Sequence, residues 1–402
     1  NGKHEIYFGD GVIGKGLSDG NVVVMTYVVT NGTVANTASA FTNASVIDTV
    51  IDVSVQTVSA ASGGAVAESI NSIKYNAPLD FASQGRCVTA DDYKTFVKRF
   101  YPNTQAVSIF GGETGSFDDT VGVVATPEYG KVFISIKSTT GNNLTDSEKR
   151  TLVNNLAPFT VASITPVIVD PETLFIVLEV SAKFNPSLTT ETSNSLSTSI
   201  STTLSDFNDD ELKQFNSIFR HSKVVGLVDD TDKSIASNIT RVTMAKYFTP
   251  TLATSVGYTI NFNNPFFHPH AGHSSGTGGI LASTGFKISG DTVNEVFFDD
   301  DGNGNMRTYF LLAGVRNFLD NTVGTIDYNT GEIKINPINI TSISDIDGST
   351  STQIRITTTP ASQDIIPVRN QIVEIDLVNT VVSVEIDINS SPTSASGPIT
   401  SY

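Results

Sequence analysis

Apolar and polar positions alternate along several segments of the chain, and the period of this alternation differs between regions. Every second residue of 174–184 is apolar, which predicts a long strand with one buried face. Residues 382–388 follow the same two-residue period. By contrast, Leu196, Ile200 and Leu204 recur every four residues, which predicts a helix although the segment is rich in serine and threonine.

Two further helices carry clear start signals. Thr89 is a candidate N-cap, and Asp91 and Asp92 fall in the first turn, where negative charge suits the helix dipole. The apolar positions of this helix lie on one face: Tyr93, Phe96, Val97 and Phe100. Residues 145–148, with the sequence Thr-Asp-Ser-Glu, form a capping box that predicts another helix.

The order of these elements predicts the fold class. Within residues 131–248, strand and helix patterns follow one another as β-α-β-β-α-β, which is the split-βαβ, ferredoxin-like arrangement. Residues 280–388 have no long helix pattern and contain a hairpin signal at 329–331, which indicates an all-β sandwich or barrel. We therefore predict an α+β, β-rich multidomain chain with a central ferredoxin-like domain and an all-β C-terminal domain.

The 402 residues suggest two to four domains, and glycine-rich or low-complexity stretches mark the divisions. Strands are expected at 6–8 and 22–29, and residues 207–237 are expected to form a loop with a short helix. The chain begins within a strand-like pattern, so we expect a fragment that lacks its N-terminal part. The predicted divisions are 1–64, β-rich with a glycine-rich hairpin; 65–130, helix-containing α+β; 131–250, ferredoxin-like; 251–279, a linker or long loop; 280–388, all-β; and 389–402, a disordered tail.

Charge and cysteine content exclude some classes of function. The chain has 24 basic and 41 acidic residues, for a net charge of -17, which disfavours binding to nucleic acid or to an anionic membrane surface. No apolar run is long enough to span a membrane. The single cysteine, Cys87, rules out an intrachain disulfide and suits a reducing compartment.

Residues 9–14 match the G-x-G-x-x-G pattern, and Lys15 brings the segment close to a phosphate-binding loop. However, Gly16 replaces the hydroxyl residue that such a loop uses to hold magnesium. Both motifs also need a helix to follow, whereas the strand pattern of 22–29 follows here. We therefore interpret the segment as a connection between strands and expect no nucleotide or other cofactor.

Residues 299–305 resemble the start of a calcium-binding loop. Asp299, Asp301, Asn303 and Asn305 occupy its first ligand positions, but Phe310 stands where a bidentate glutamate is required. A hairpin turn rich in Asp, Asn and Gly is the favoured interpretation, and weak cation binding stays open.

Three histidines, His268, His270 and His273, could hold zinc in principle. The sequence offers no fourth ligand at a familiar spacing, so an exposed loop is favoured over a metal site. A metal-dependent hydrolase that uses these histidines is the enzymatic alternative. No nucleophile motif is present, and Cys87 beside Arg86 is expected to be a packing residue, so we predict a non-enzymatic protein.

Several segments together resemble the baseplate-J-like family, and in particular the baseplate wedge proteins of large contractile-tailed phages. The first four below resemble that family's opening and central part in order, and the last two resemble the C-terminal region of the wedge proteins. They are residues 4–14 (HEIYFGDGVIG), 30–36 (TNGTVAN), 84–93 (QGRCVTADDY), 129–132 (YGKV), 299–305 (DDDGNGN) and 324–331 (GTIDYNTG).

The resemblance implies a structural role in the virion. Copies of such a protein would form dimers and a ring around the central hub, contact other wedge and hub proteins, and relay the change that triggers sheath contraction. It would be made and assembled in the host bacterial cytoplasm. The alternative is a receptor-binding, adhesin-type virion protein, which predicts fibrous repeats; the sequence contains none.

Overall fold

The computed structural model describes residues 6–12, 14–27, 31–36, 38–42, 55, 57, 61, 64, 66–118, 122–139, 143–268, 279–346 and 350–388. The chain divides into two compact units, residues 1–68 and residues 69–402. Among the described residues, no helix is both long and apolar enough to cross a membrane.

In the first unit, the described residues contain a 3-10 helix, Gly32–Ala35, and no strand. The predictions of strands at 6–8 and 22–27 are therefore wrong, while residues 28–29 lie outside the described residues. β-branched runs indicate a tendency toward extended backbone, but a strand forms only where a partner supplies the hydrogen-bond ladder.

The second unit begins with a small domain, residues 70–169, in which helices cover a sheet. Its elements are α1 (Ile70–Ser83), α2 (Ala90–Phe100), β1 (Thr104–Gly111), β2 (Ser116–Asp118), β3 (Gly122–Val124), β4 (Lys131–Ser138), α3 (Asp146–Leu156) and β5 (Thr165–Val169). The main sheet has the order β1-β4-β5, with β1 antiparallel and β5 parallel to β4. Strands β2 and β3 form a separate hairpin.

Both helix starts predicted from capping residues are confirmed. Thr89 and Asp92 form a complete capping box at α2, and Thr145 and Glu148 form another at α3. The apolar faces of these helices pack on β4 to give a core that includes Phe96, Leu152 and Ile134. Helix α1 was not predicted; it starts at the N-cap Ser69 and contains Pro78.

The large domain follows, residues 172–388. Its first elements match the sequence patterns: β6 (Glu172–Phe184), α4 (Ser193–Phe207), a π-helical turn (Asn208–Leu212), α5 (His221–Asp229) and β7 (Ile235–Phe248). The remaining strands are β8 (Ser255–Asn261), β9 (Leu281–Ser283), β10 (Phe286–Ile288), β11 (Asp291–Asp300), β12 (Asn305–Leu312), β13 (Val315–Asp327), β14 (Glu332–Ile343), β15 (Ile354–Thr358), β16 (Gln371–Ile375) and β17 (Val381–Ile386).

Strands β10 to β14 pair in sequence order, and β10 also pairs with β14, so that these five strands close into a barrel. Strand β8 is also antiparallel to and paired with β14. The barrel confirms the all-β prediction for this part of the chain. It is inserted between β7 and β15, two neighbouring strands of a second sheet with the order β16-β6-β7-β15-β9.

The ferredoxin-like prediction is not confirmed by this sheet arrangement. Its four strands occur in the predicted order, but β4 and β5 belong to the small sheet while β6 and β7 belong to the large one. The reason is that β6 takes its parallel partners from the end of the chain: β16 pairs with its first half and β17 with its second half. Local periodicity cannot reveal such distant partners.

The predicted linker at 251–279 is also corrected in part. Residues 255–261 form β8, a strand paired with β14, because Ile260 supplies a buried side chain to the barrel. Residues 269–278 and the predicted disordered tail, 389–402, lie outside the described residues.

Candidate functional site

The turn singled out as a calcium-loop candidate connects β11 and β12. Asp299 ends up opposite Arg307 in the ladder between these strands, and its carboxylate is almost fully buried. Arg307 donates from Nε to Oδ1 at 3.0 Å and from Nη2 to Oδ2 at 3.1 Å. Arg316 of β13 donates to Oδ2 as well, at 2.9 Å. Both carboxylate oxygens are therefore engaged by guanidinium groups.

An aromatic ring stacks on each arginine of this ion-pair network. The guanidinium of Arg307 lies 4.3 Å from the ring centre of Phe318, and that of Arg316 lies 4.7 Å from that of Tyr309. Such stacking lowers the exposure of both cations while keeping a favourable electrostatic contact. These side-chain contacts connect β11, β12 and β13.

Asp300 points to the opposite face of β11, into the barrel. Its Oδ2 accepts a hydrogen bond from the Tyr328 hydroxyl at 2.6 Å, and its Oδ1 accepts one from the Leu281 backbone N–H at 2.8 Å. Burial and the neighbouring Asp300 carboxyl raise the pKa of the Tyr328 phenol, so this hydroxyl remains a donor. The contact joins the barrel interior to strand β9.

The other calcium-loop candidates stabilise the turn itself. Oδ1 of Asp301 accepts from the backbone N–H groups of Asn303 and Asn305, and Oδ2 accepts from the Asn305 side chain at 2.8 Å. Asp299 and Asp301 thus point to different partners instead of a shared centre. Across the part of the chain that the structure describes, no group of three or more His, Cys, Asp or Glu side chains is arranged to hold a metal ion.

The histidine run is only partly described. The ring of His268 packs against that of Tyr328, with ring centres 4.7 Å apart. His270 and His273 lie outside the described residues, so the structure does not test a zinc site there.

The glycine-rich segment near the start of the chain forms a tight turn. The Gly11 N–H donates to the Gly14 carbonyl at 2.8 Å, and the Gly9 N–H donates to the Lys15 carbonyl at 3.1 Å. Gly11 has a φ of 89°, in the left-handed region that favours glycine. The described residues of 14–27 contain no helix, so they present no helix N-terminus to a phosphate group.

Cys87 is completely buried, which fits the predicted packing role. Burial raises the pKa of its thiol to about 12, and the nearby carboxylate of Asp92 adds to the shift. The thiolate form, which is the nucleophile, is therefore disfavoured at neutral pH.

The interface between the small and large domains contains a charged pair that the sequence did not indicate. Lys137 of β4 forms a salt bridge with Glu374 of β16, and both side chains are about nine-tenths buried. The one local signal is that Lys137 follows Phe133 and Ser135 on the same face of a buried strand. Its partner is 237 residues away in sequence, beyond the reach of any spacing rule.

Further polar contacts join the two domains. Arg369 donates from Nη1 to the Thr114 hydroxyl at 2.9 Å, and Asn370 donates from Nδ2 to the Asp170 carbonyl at 3.0 Å. The Gln105 side chain reaches the Asp209 carbonyl at 3.4 Å. The two domains therefore meet through specific polar contacts.

Helix α1 exposes an apolar stripe. Ile70, Ile73, Ala77 and Phe81 follow helical spacing along one face of it, and Ile70 and Phe81 are 73% and 86% exposed. The opposite side faces α2, where the Lys98 ammonium lies 5.8 Å from the Tyr75 ring centre. Large apolar side chains gathered on one exposed face are typical of a surface that another protein covers.

Two comparisons with known proteins agree with this domain division. Residues 89–169 match the family model described as baseplate structural protein gp6, C-terminal domain I. Residues 172–247 match the model described as C-terminal domain III of the same protein. The break between the matches falls at Asp170 and Pro171, which join β5 to β6.

The chain is also similar to the baseplate wedge protein gp6 of Enterobacteria phage T4, with 29% identity over 271 residues that cover 61% of this chain and 39% of that protein. It therefore spans about two fifths of the length of the curated relative it matches. A solved structure, the six-fold symmetrised cryo-EM baseplate of the anti-feeding prophage, aligns over 47% of this chain and 42% of that chain. The sequence identity is 13% and the TM-score is 0.29, which is too low to establish a common fold. The sequence matches relate the chain to structural proteins of phage tail baseplates.

Proposed function

We propose that the chain is a structural component of a contractile-tail baseplate wedge. In this role it self-associates into a ring around the hub and relays the conformational change that triggers sheath contraction. The observation that carries the proposal is the pair of matches to two gp6 domains, which follow one another along the chain. The boundary between the matches falls at the link between two structural domains. The ordered segments that resemble the baseplate-J-like family support the same role.

The proposal also specifies partners and location. The partners are further copies of this chain and other wedge and hub proteins, and the protein acts in the virion after assembly in the host cytoplasm. No catalytic step is assigned to it. The acidic net charge of -17 is compatible with protein partners rather than nucleic acid.

The exposed stripe of α1 is the surface that we assign to self-association. A 14-residue helix is marginal in isolation, and this one packs on α2 while its Ile70, Ile73 and Phe81 side chains remain exposed. Covering these side chains with a protein partner would remove apolar surface from water at about 25 cal/mol per Å².

Sedimentation velocity of the full chain over a range of concentrations tests this assignment. We expect the chain to form dimers or larger species, and we expect Ile73→Asp to reduce them. Asn71→Asp is the matched control, because it adds the same charge to α1 away from the stripe and should leave association unchanged. A chain that stays monomeric at high concentration would contradict self-association, and equal association of both variants would contradict the role of the stripe.

A further inference from the structure

Among the described residues, the small and large domains do not share a hydrophobic core. The main core of the large domain contains residues from Leu174 onwards. The two clusters of the small domain end at Leu156 and Val169. No buried apolar cluster among the described residues therefore spans the boundary, although apolar burial is the main source of cohesion between packed elements.

The covalent connection between these domains is equally limited. The chain passes from the small to the large domain through Asp170 and Pro171, which separate the last residue of β5 from the first residue of β6. Interfaces between domains that lack a large apolar contact allow relative motion by default. The orientation of the small domain thus depends on the polar contacts at the interface.

Strand β16 contributes Glu374 to that interface. Its residues alternate between two environments: Val373 and Ile375 belong to the core of the large domain, whereas Ile372 and Glu374 point to the other face. Glu374 reaches Lys137 of the small domain from this second face. The pair is buried, so water screens it weakly, and its strength depends strongly on the separation of the two charges.

A buried ion pair is a poor source of net stability, because desolvation offsets most of the Coulomb attraction. Breaking such a pair is costly, however, because an unpaired charge is then left buried. The pair therefore discriminates between domain orientations: only the orientation that brings Lys137 to Glu374 satisfies both charges.

We propose that the Lys137–Glu374 pair is a conformational latch, which holds the small domain in one orientation on β16 and allows it to rotate about Asp170 and Pro171 when the pair is broken. The latch itself is a property of the isolated chain. The role of the rotation in relaying a change through the baseplate rests on the proposed function.

Distance measurement between two spin labels tests the latch. One label is placed at Arg150→Cys on α3 and the other at Ser199→Cys on α4, because both positions are exposed on helices of different domains. Cys87, the single native cysteine, is fully buried and its thiol pKa is raised to about 12, so labelling is confined to the introduced sites. Dilution with unlabelled chain removes distances between different copies.

Glu374→Lys is the decisive variant, because it places two like charges in the buried position. We expect the mean distance to shift by more than the width of the parent distribution. The double variant Lys137→Glu/Glu374→Lys should return the distribution to that of the parent. Lys246→Gln is the control, because it breaks another partly buried ion pair, which Lys246 forms with Glu172. This pair joins β7 to β6 within the large sheet, so its loss should leave the distance between the labels unchanged.

Each outcome either supports the latch or overturns it. If Glu374→Lys unfolds, as far-ultraviolet circular dichroism would reveal, the milder Glu374→Gln decides through its own distance distribution. The proposal would be overturned if the folded Glu374 variants gave the same distance distribution as the parent. It would also be overturned if the double variant failed to restore the parent distance. Because the measurement uses dilute isolated chain, it remains valid if the chain does not self-associate.

Discussion

The barrel and the interface between the small and large domains both bury charged side chains, but their surroundings differ. In the barrel, Asp299 is held by Arg307 and Arg316 from adjacent, hydrogen-bonded strands. At the interface, Lys137 and Glu374 belong to separate domains that are joined by a two-residue link.

This difference suggests that buried charges have different consequences in the two regions. In the barrel, the ladder between β11 and β12 already places Asp299 opposite Arg307, so the ion pair reinforces the register of a fixed geometry. At the interface, no backbone ladder among the described residues sets the distance between the two charges. Losing a partner should therefore destabilise the barrel but reorient the small domain.

The largest effect is expected from Asp299→Ala. This change leaves Arg307 and Arg316 without their carboxylate, and breaking a buried ion pair in this way costs about 3–5 kcal/mol. Urea unfolding followed by circular dichroism measures the loss of stability. Glu332→Ala is the control in the same barrel, because its more exposed pair with Lys334 should contribute about 0–1 kcal/mol. Equal, small losses for both variants would mean that the Asp299 network does not stabilise the barrel.

A smaller effect is expected from Tyr328→Phe, which removes the hydroxyl that donates to Asp300 at 2.6 Å. Leaving a buried carboxyl without this donor costs about 1–3 kcal/mol. Because the folded-state pKa of Tyr328 is raised, the unfolded chain loses the phenol proton first, and the hydroxyl's contribution should decline as pH rises above about 10. Urea unfolding of both proteins at pH 8 and above pH 10 checks the sign; a stability difference that grows with pH would contradict this account.

A third change concerns the small domain alone. Thr89→Ala removes the side chain that caps α2 and should cost about 1 kcal/mol. Thr89→Ser keeps the capping oxygen and should be nearly neutral. Because the small and large domains have separate hydrophobic cores, calorimetry should show Thr89→Ala lowering one transition while Asp299→Ala lowers another. A single transition that both changes lower together would mean that the domains unfold as one unit.

The parts of the fold that the sequence predicted are those set by local physics. Helices α2 and α3 were identified from caps that act within four residues, and β6 from the alternation of its own side chains. Helix α1 was missed because Pro78 interrupts its pattern and its apolar residues do not form a single buried face. The ferredoxin-like order was not confirmed because pairings such as Gln371 with Glu172 depend on the end of the chain.

The same limit applies to the candidate site. Sequence spacing correctly marked residues 299–305 as a turn rich in carboxylates. Spacing alone, however, does not show whether such a carboxylate binds a cation or pairs with an arginine. Only the strand register, which places Arg307 opposite Asp299, distinguishes the two. The pairing of Lys137 with Glu374 cannot be predicted from spacing, because the two residues are 237 positions apart in the sequence.

The smallest effect is expected from added calcium. Both carboxylate oxygens of Asp299 accept from arginine, and both of Asp301 accept from the turn, so a cation would have to displace existing hydrogen bonds. A ligand that binds only the folded state raises the free energy of unfolding by RT ln(1 + [L]/Kd). We expect the turn to bind no calcium, so the thermal unfolding midpoint should stay constant when calcium is added. Parallel titration of the Asp301→Ala variant controls for binding elsewhere on this acidic chain. An unfolding midpoint that rises with calcium in the parent but not in the variant would identify the turn as a cation site. A bound ion would then help to neutralise the carboxylates that the turn carries.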